Sequence, residues 1–249
     1  QFNMVIKRRK TLAIKIRAEV YPNSPLREVV FEIRFQGEPT VECKRDNFFD
    51  FVRKDYSRVL VPQIKENEFV ALQPYRFENA DKSAGIMLAI NRFSYYSRKY
   101  PGFALFKKEV LKLTGKFKKS FPKINDLTRI GFRYVNIIPF TREEGTVPVD
   151  KFLNLKMQLP SMISERYNNL SIGFVAKTDG GTITTRIETL TATAQGGEAI
   201  LLDIDCAKEG SLSINSIKKH LDESHNYARR LFEDLITDRY RMLLRGENI

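Results

Sequence analysis

Residues 170–206 read LSIGFVAKTDGGTITTRIETLTATAQGGEAILLDIDC, and the punctuation of this stretch decides the fold. Asp179-Gly180-Gly181 and Gln195-Gly196-Gly197 divide it into three runs rich in branched residues, 170–177, 182–193 and 199–206, which predicts a hairpin meander. Downstream, Ser213 is placed to cap a long helix. There Ile214, Ile217, Leu221, Ala228, Leu231, Leu235 and Leu243 recur at three- and four-residue steps, an apolar stripe able to cover a sheet face. Upstream, 150–167 reads as a helix broken at Pro160, preceded by a loop holding Glu143-Glu144-Gly145 and Pro148.

The first half is organised in a similar way. After the turn-rich Pro22-Asn23-Ser24-Pro25, residues 27–35 alternate: Val29, Phe31, Ile33 and Phe35 share one face, Glu32 and Arg34 the other. The spacing of Phe48, Phe49, Val52 and Tyr56 predicts a helix over 45–60. Strands are expected over 69–77 and 85–95 with their turn at 79–83, then a helix over 103–117 and a strand over 127–138. Residues 4–140 therefore read as a βαββαβ half, and 141–249 as a second half of meander plus long helix, within one continuous α+β chain of mainly antiparallel sheet. The two halves also read as distant copies of one sheet-and-helix plan.

The 249 residues are 42% hydrophobic and 11% aromatic, enough for a substantial core, which sets aside global disorder and a disulfide-held miniprotein. The longest unbroken apolar run, 86–90, is far short of the about 20 residues of a membrane-spanning helix, so no membrane partner is expected. Gln1-Phe2-Asn3 ahead of Met4 read as a remnant of an engineered cleavage site. The basic stretch Ile6-Lys7-Arg8-Arg9-Lys10 leads into alternating Leu12, Ile14 and Ile16, unlike the middle of a signal peptide. Cys43 and Cys206 stand 163 positions apart with no further cysteine, so two free thiols in a cytoplasmic protein are expected.

Forty-two basic against 30 acidic residues give a net charge of +12, which favours anionic partners. Much of it lies in 92–123, where Arg92, Arg98, Lys99, Lys107, Lys108, Lys112, Lys116, Lys118, Lys119 and Lys123 meet one acid, Glu109. On a helical wheel Phe103, Phe106, Val110, Leu113 and Phe117 cluster on one side, with Lys108, Lys112, Lys116 and Lys119 nearly opposite. That row spans roughly 16 Å, the reach of two or three phosphates on one strand. Phe93, Tyr95, Tyr96 and Tyr100 border it and could stack bases. The plainer alternatives are a solvated lysine face and aromatic strand core.

Charges also sit at i, i+2 or i, i+4 spacing on several strands: Glu32 and Arg34, Arg129 and Arg133, Arg186 and Glu188, Asp203 and Asp205. If these faces converge, Arg34, Arg129, Arg133 and Arg186 could clamp an anion while Glu32, Glu188, Asp203 and Asp205 hold a divalent cation for phosphoryl chemistry. The alternative is a solvated sheet face paired across strands, for instance Arg186 with Asp203. His220 and His225, five apart, do not form the i, i+4 pair of a helical metal site and read as surface residues. Neither glycine pair continues into a P-loop lysine or a GxGxxG run, and GxSxG, HExxH and kinase-like sets are absent. The reading leans away from an enzyme, and no cofactor is expected outside the divalent-cation alternative.

Four stretches together resemble a known family: Asn23 through Phe35 with its Glu32-Ile33-Arg34-Phe35 strand, Arg129-Ile130-Gly131-Phe132-Arg133-Tyr134-Val135-Asn136, Leu201-Leu202-Asp203-Ile204-Asp205, and Phe232-Glu233-Asp234-Leu235-Ile236-Thr237-Asp238. The family is one of sporadically distributed bacterial proteins of similar size with no established activity, and the resemblance covers 22–244. What it implies is a gene that moves between genomes, as mobile-element or phage-defence components do. Functionally, the sequence points to a non-catalytic module for nucleic acid, RNA or DNA, or a nucleotide-like anion. Metal-assisted phosphate processing is one alternative. A protein-interaction component, docking an acidic partner or a second copy of itself, is another.

Overall fold

In a computed structural model, residues 20–61, 74–156, 168–191, 193 and 196–247 are described. The basic leader, most of the expected 69–77 strand and the Pro160 region of the expected 150–167 helix fall outside them.

Strand β1 (Leu26–Arg34) is followed by two short helices, α1 (Thr40–Cys43) and α2 (Arg45–Val52), and a three-residue strand β2 (Arg58–Leu60). A meander of β3 (Tyr75–Glu78), β4 (Ala84–Ala89) and β5 (Arg92–Ser97) leads to the long helix α3 (Phe103–Ser120). The plan then repeats. Strand β6 (Asp126–Phe140) and short helix α4 (Val149–Phe152) precede the meander β7 (Ser171–Thr178), β8 (Gly181–Leu190) and β9 (Glu198–Ser213), and a second long helix, α5 (Ile217–Leu235), follows a 3₁₀ turn (Ile214–Ser216). A final helix, α6 (Asp238–Arg245), ends the described chain.

The strands among the described residues join one antiparallel sheet in the order β2-β3-β4-β5-β1-β6-β9-β8-β7. In each half the opening strand pairs with the last strand of its own meander, β1 with β5 and β6 with β9. The two opening strands then pair with each other, antiparallel, at the centre. The strand order is therefore similar on the two sides of the β1–β6 ladder, β5-β1 on one and β6-β9 on the other. Strand β6, the last strand of the 4–140 half as read from the sequence, pairs with β1 on one side and β9 on the other and so joins the two halves.

Among the described residues the first half therefore runs βααββββα up to α3, with a hairpin where one strand over 85–95 was expected. Ala89 pairs with Arg92 across a two-residue turn of Ile90 and Asn91. Neither residue has positive φ, so the Asn-Gly chemistry that announces a type I′ hairpin is absent. The expected 45–60 helix stops at Val52, and the chain turns through Tyr56 into β2. The long C-terminal helix breaks at Ile236, and Thr237 Oγ1 caps α6 by accepting from the Tyr240 amide at 3.0 Å. Thr237→Ala is expected to lower unfolding free energy by about 1 kcal/mol in urea titration.

Alternation assigns the two faces of the sheet. Phe31 lies between Tyr95 and Phe132, and Phe132 opposite Cys206, on the face that α2, α3 and α5 cover. Phe48 of α2 meets Phe77, Phe93 and Phe117, while Phe106 of α3 meets Tyr95 and Phe132, so one aromatic core runs beneath the helix layer. The opposite face carries Glu32, Arg129, Arg133, Asp203, Asp205 and Arg186. Among the described residues no helix is long and apolar enough to cross a membrane. Cys43 is exposed and Cys206 buried, both as free thiols.

Candidate functional site

The sheet brings the charged strand residues together, as carboxylate–guanidinium pairs. Arg129 lies at the centre. Its Nη1 donates to Glu32 Oε1 at 2.9 Å and its Nη2 to Asp205 Oδ2 at 2.5 Å. The guanidinium can lie flat across β6 because Gly131 has no side chain, and a Cβ there would overlap it. Arg34 and Arg92 approach Glu32 at 2.7 and 3.7 Å. Arg133 grips Asp203 through two parallel bonds of 2.6 and 2.7 Å, the fork geometry of a strong charge-assisted pair. Arg186 reaches Glu188 at 3.5 Å and Asp203, its cross-strand partner, at 4.0 Å. Each carboxylate of the proposed cation site thus faces guanidinium groups, and no cluster of three or more His, Cys, Asp or Glu suited to a metal occurs among the described residues. The Asp203 hydrogen bonds raise the Arg133 pKa, while burial raises that of Asp205 against the pull of Arg129.

Helix α3 follows its sequence reading. Phe106, Val110, Leu113 and Phe117 are buried, and Lys108, Lys112 and Lys119 are exposed on the outer side. The lysines differ in their partners. Lys107 Nζ bonds Asp222 of α5 at 2.5 and 2.7 Å. Lys112 is neutralised by Asp55 at 3.0 Å and Glu109 at 3.2 Å, and that Asp55 bond lowers the aspartate pKa. Lys116 Nζ donates to the Phe51 carbonyl and Lys118 Nζ to Asn215 Oδ1, neither of which carries charge. Lys108 and Lys119 have no described partner.

Arg98 and Lys99 sit at the end of β5, away from this row. Arg98 pairs with Glu28 at 3.2 Å and Lys99 with Asp81 at 2.8 Å. Three of the four aromatic residues expected to border the row, Phe93, Tyr95 and Tyr96, are interior instead, while Tyr100 is part-buried in the loop before α3. Phe93 and Tyr95 lie under the helices, and Tyr96 is buried on the far face with its hydroxyl donating to Glu78 at 2.6 Å. Strand alternation seals them from any base.

A second site was not visible in the charge pattern: a cleft of about 770 Å³ between the start of α3, α5, β6 and the first described residues. Tyr21, Leu26, Phe103 and Phe232 provide apolar wall. Gly102, at φ +91°, turns the chain from Pro101 into α3 at its edge. A hydrogen-bond chain forms part of the lining. Tyr100 Oη lies 2.9 Å from Tyr134 Oη, which lies 2.8 Å from His225 Nδ1. The imidazole stacks on Phe103, centroids 3.8 Å apart and planes at 9°. Burial, with help from the Arg229 charge, lowers the His225 pKa to about 4; burial raises Tyr134 well above its usual value and Tyr100 to about 12. These three hydrogen-bonded side chains are therefore uncharged at neutral pH.

One signal would have located this histidine. The α5 stripe passes from Leu221 to Ala228 with a gap at the intervening turn, and His225, four after one and three before the other, fills it. His225 thus belongs to the sheet-facing side and is part-buried rather than a surface residue. His220 is buried as well, 3.4 Å from Glu223. No protein-family model matches the chain, and a search of the curated proteins finds no match.

Proposed function

We propose that the protein is a cytoplasmic, non-catalytic binding module whose ligand is nucleic acid or a nucleotide-like polyanion, engaged on the outer face of α3. The observation that carries this reading is the difference between the two sets of basic residues. The sheet arginines are matched to carboxylates, whereas Lys108, Lys116, Lys118 and Lys119 present ammonium groups with no carboxylate within ion-pair distance among the described residues, Lys116 being influenced by Asp55 only from farther off. Lysines at successive turns of one helix place charge along about 16 Å, and unneutralised charge of one sign attracts a counter-polyanion. The arginines act in this reading as scaffold, fixing β1, β6, β8 and β9 to one another. The phosphate-processing alternative gains no support from this geometry, because its carboxylates are engaged by guanidinium.

Fluorescence anisotropy with a labelled single-stranded oligonucleotide, titrated at several salt concentrations, tests the proposal. Replacing Lys108, Lys116 and Lys119 together by glutamine is expected to flatten the slope of log K against log salt by roughly two, at about 0.7 for each phosphate that is no longer neutralised. Lys112→Gln, which removes an already paired charge, should change it by less than about 0.3. A triple variant with the parental slope rejects the reading.

A further inference from the structure

The cleft beside α3 is unlike the lysine face in every respect that matters for ligand choice. It is concave, walled largely by aromatic and aliphatic groups, and about 770 Å³ in volume, within the roughly 300–1,000 Å³ of small-molecule sites. Such a wall disfavours the hydrated backbone of a polynucleotide and suits one compact, flat body. Phe103 is held for that purpose from two sides, against the His225 ring and edge-on to Phe132 at 6.1 Å.

The polar part of the lining is sparse and ordered. Asn136 is committed to the Leu202 carbonyl at 3.1 Å. Glu233 is held by the Tyr21 hydroxyl at 2.8 Å and by Arg241 at 3.4 Å, so its charge is compensated. The charge of Arg229 bears on Tyr100, Tyr134 and His225. Of the His225 nitrogens, Nδ1 is satisfied by Tyr134. Nε2 has no described partner and is not among the side-chain atoms sealed from solvent. If Tyr100 donates to Tyr134 and Tyr134 to Nδ1, the neutral ring carries its proton on Nε2. Each donor in such a chain strengthens the next, and the last N–H then finds its strongest acceptor in an anion.

We propose that this cleft binds a small molecule of the aryl carboxylic acid class, its flat body against Phe103 and Phe232 and its carboxylate accepting from His225 Nε2. This site is independent of the α3 lysine face. Tyr100 and Tyr134 are positioning residues, since they act through the imidazole.

Calorimetric titration of the full chain with 1-naphthoate, and with 1-naphthamide as its uncharged isostere, tests the proposal. One naphthoate per chain is expected with a dissociation constant below about 1 mM, and the amide about tenfold weaker or worse. Ala104→Trp, at an exposed position on the first turn of α3 that lines the cleft, should weaken naphthoate at least about tenfold by occupying the site. His225→Phe keeps the ring stack and removes Nε2, so acid and amide should then bind within about twofold of each other. No naphthoate binding at about 1 mM overturns the proposal. So does equal binding of acid and amide by the parent, or naphthoate binding that Ala104→Trp leaves unchanged.

Discussion

Replacing Arg129 with methionine is expected to lower the unfolding free energy by about 3–5 kcal/mol in urea titration at neutral pH, although the side-chain volumes are close. Arg129 is 11% exposed and bridges Glu32, 14% exposed, to Asp205. Removing the guanidinium leaves two carboxylates at the middle of the sheet, and Asp205 is deprived of its nearest partner. Glu32 keeps Arg34 and Arg92, so most of the destabilisation should come from Asp205. The pH dependence follows from burial, which raises the Asp205 pKa in the folded chain. A carboxyl with a raised folded pKa binds more protons folded than unfolded, so the stability of the variant should recover as pH falls below neutrality. Adding Asp205→Asn to Arg129→Met removes the stranded charge and should restore at least half of the missing stability. A double variant as unstable as the single one would show that the deficit lies in packing.

The second large effect belongs to His225, whose pKa falls from the ordinary imidazole value of about 6.5 to about 4 through burial. A histidine with a lowered folded pKa favours folding fully above its unfolded value. That contribution disappears as pH falls from about 6.5 toward 4, because the unfolded chain takes up the proton first. Between those limits the parent should lose about 2–3 kcal/mol more stability than His225→Phe, after allowance for water reaching the part-exposed ring. His220, also lowered by burial, titrates in both proteins and cancels from the difference. Asp222 and Arg229 on α5, and Tyr100 and Tyr134 from neighbouring elements, remain in both. Parallel stability curves would refute the buried, neutral assignment.

What the sequence disclosed follows from how local each signal is. Alternation over Val29, Phe31 and Ile33 places a strand and its buried face without knowledge of its neighbours, and the three-and-four rhythm of α3 does the same for a helix. The Ile90–Asn91 hairpin was hidden because both flanking strands are buried along nearly their whole length and the turn lacks a glycine. Spacing put Arg129 and Asp205 each on a strand face, but their contact needs the β6–β9 register across 76 positions. Neutralisation of Lys112 by Asp55 is equally remote, 57 positions away. The cleft joins Tyr100 from a loop, Tyr134 from β6 and His225 from α5, none of which carries a motif by itself.

The central pairing of β1 with β6 has a consequence for biosynthesis. When the nascent chain has released everything through α3, β1 can pair with β5 on one side, yet its other edge stays open until the ribosome delivers Asp126–Phe140. An unpaired strand edge in the middle of a growing sheet is sticky toward any neighbouring polypeptide. That edge is closed after a few residues, but β6 then leaves its own far edge open until Glu198–Ser213 is made, so the longer vulnerable interval lies between β6 and β9, and chaperone engagement would be most effective within it.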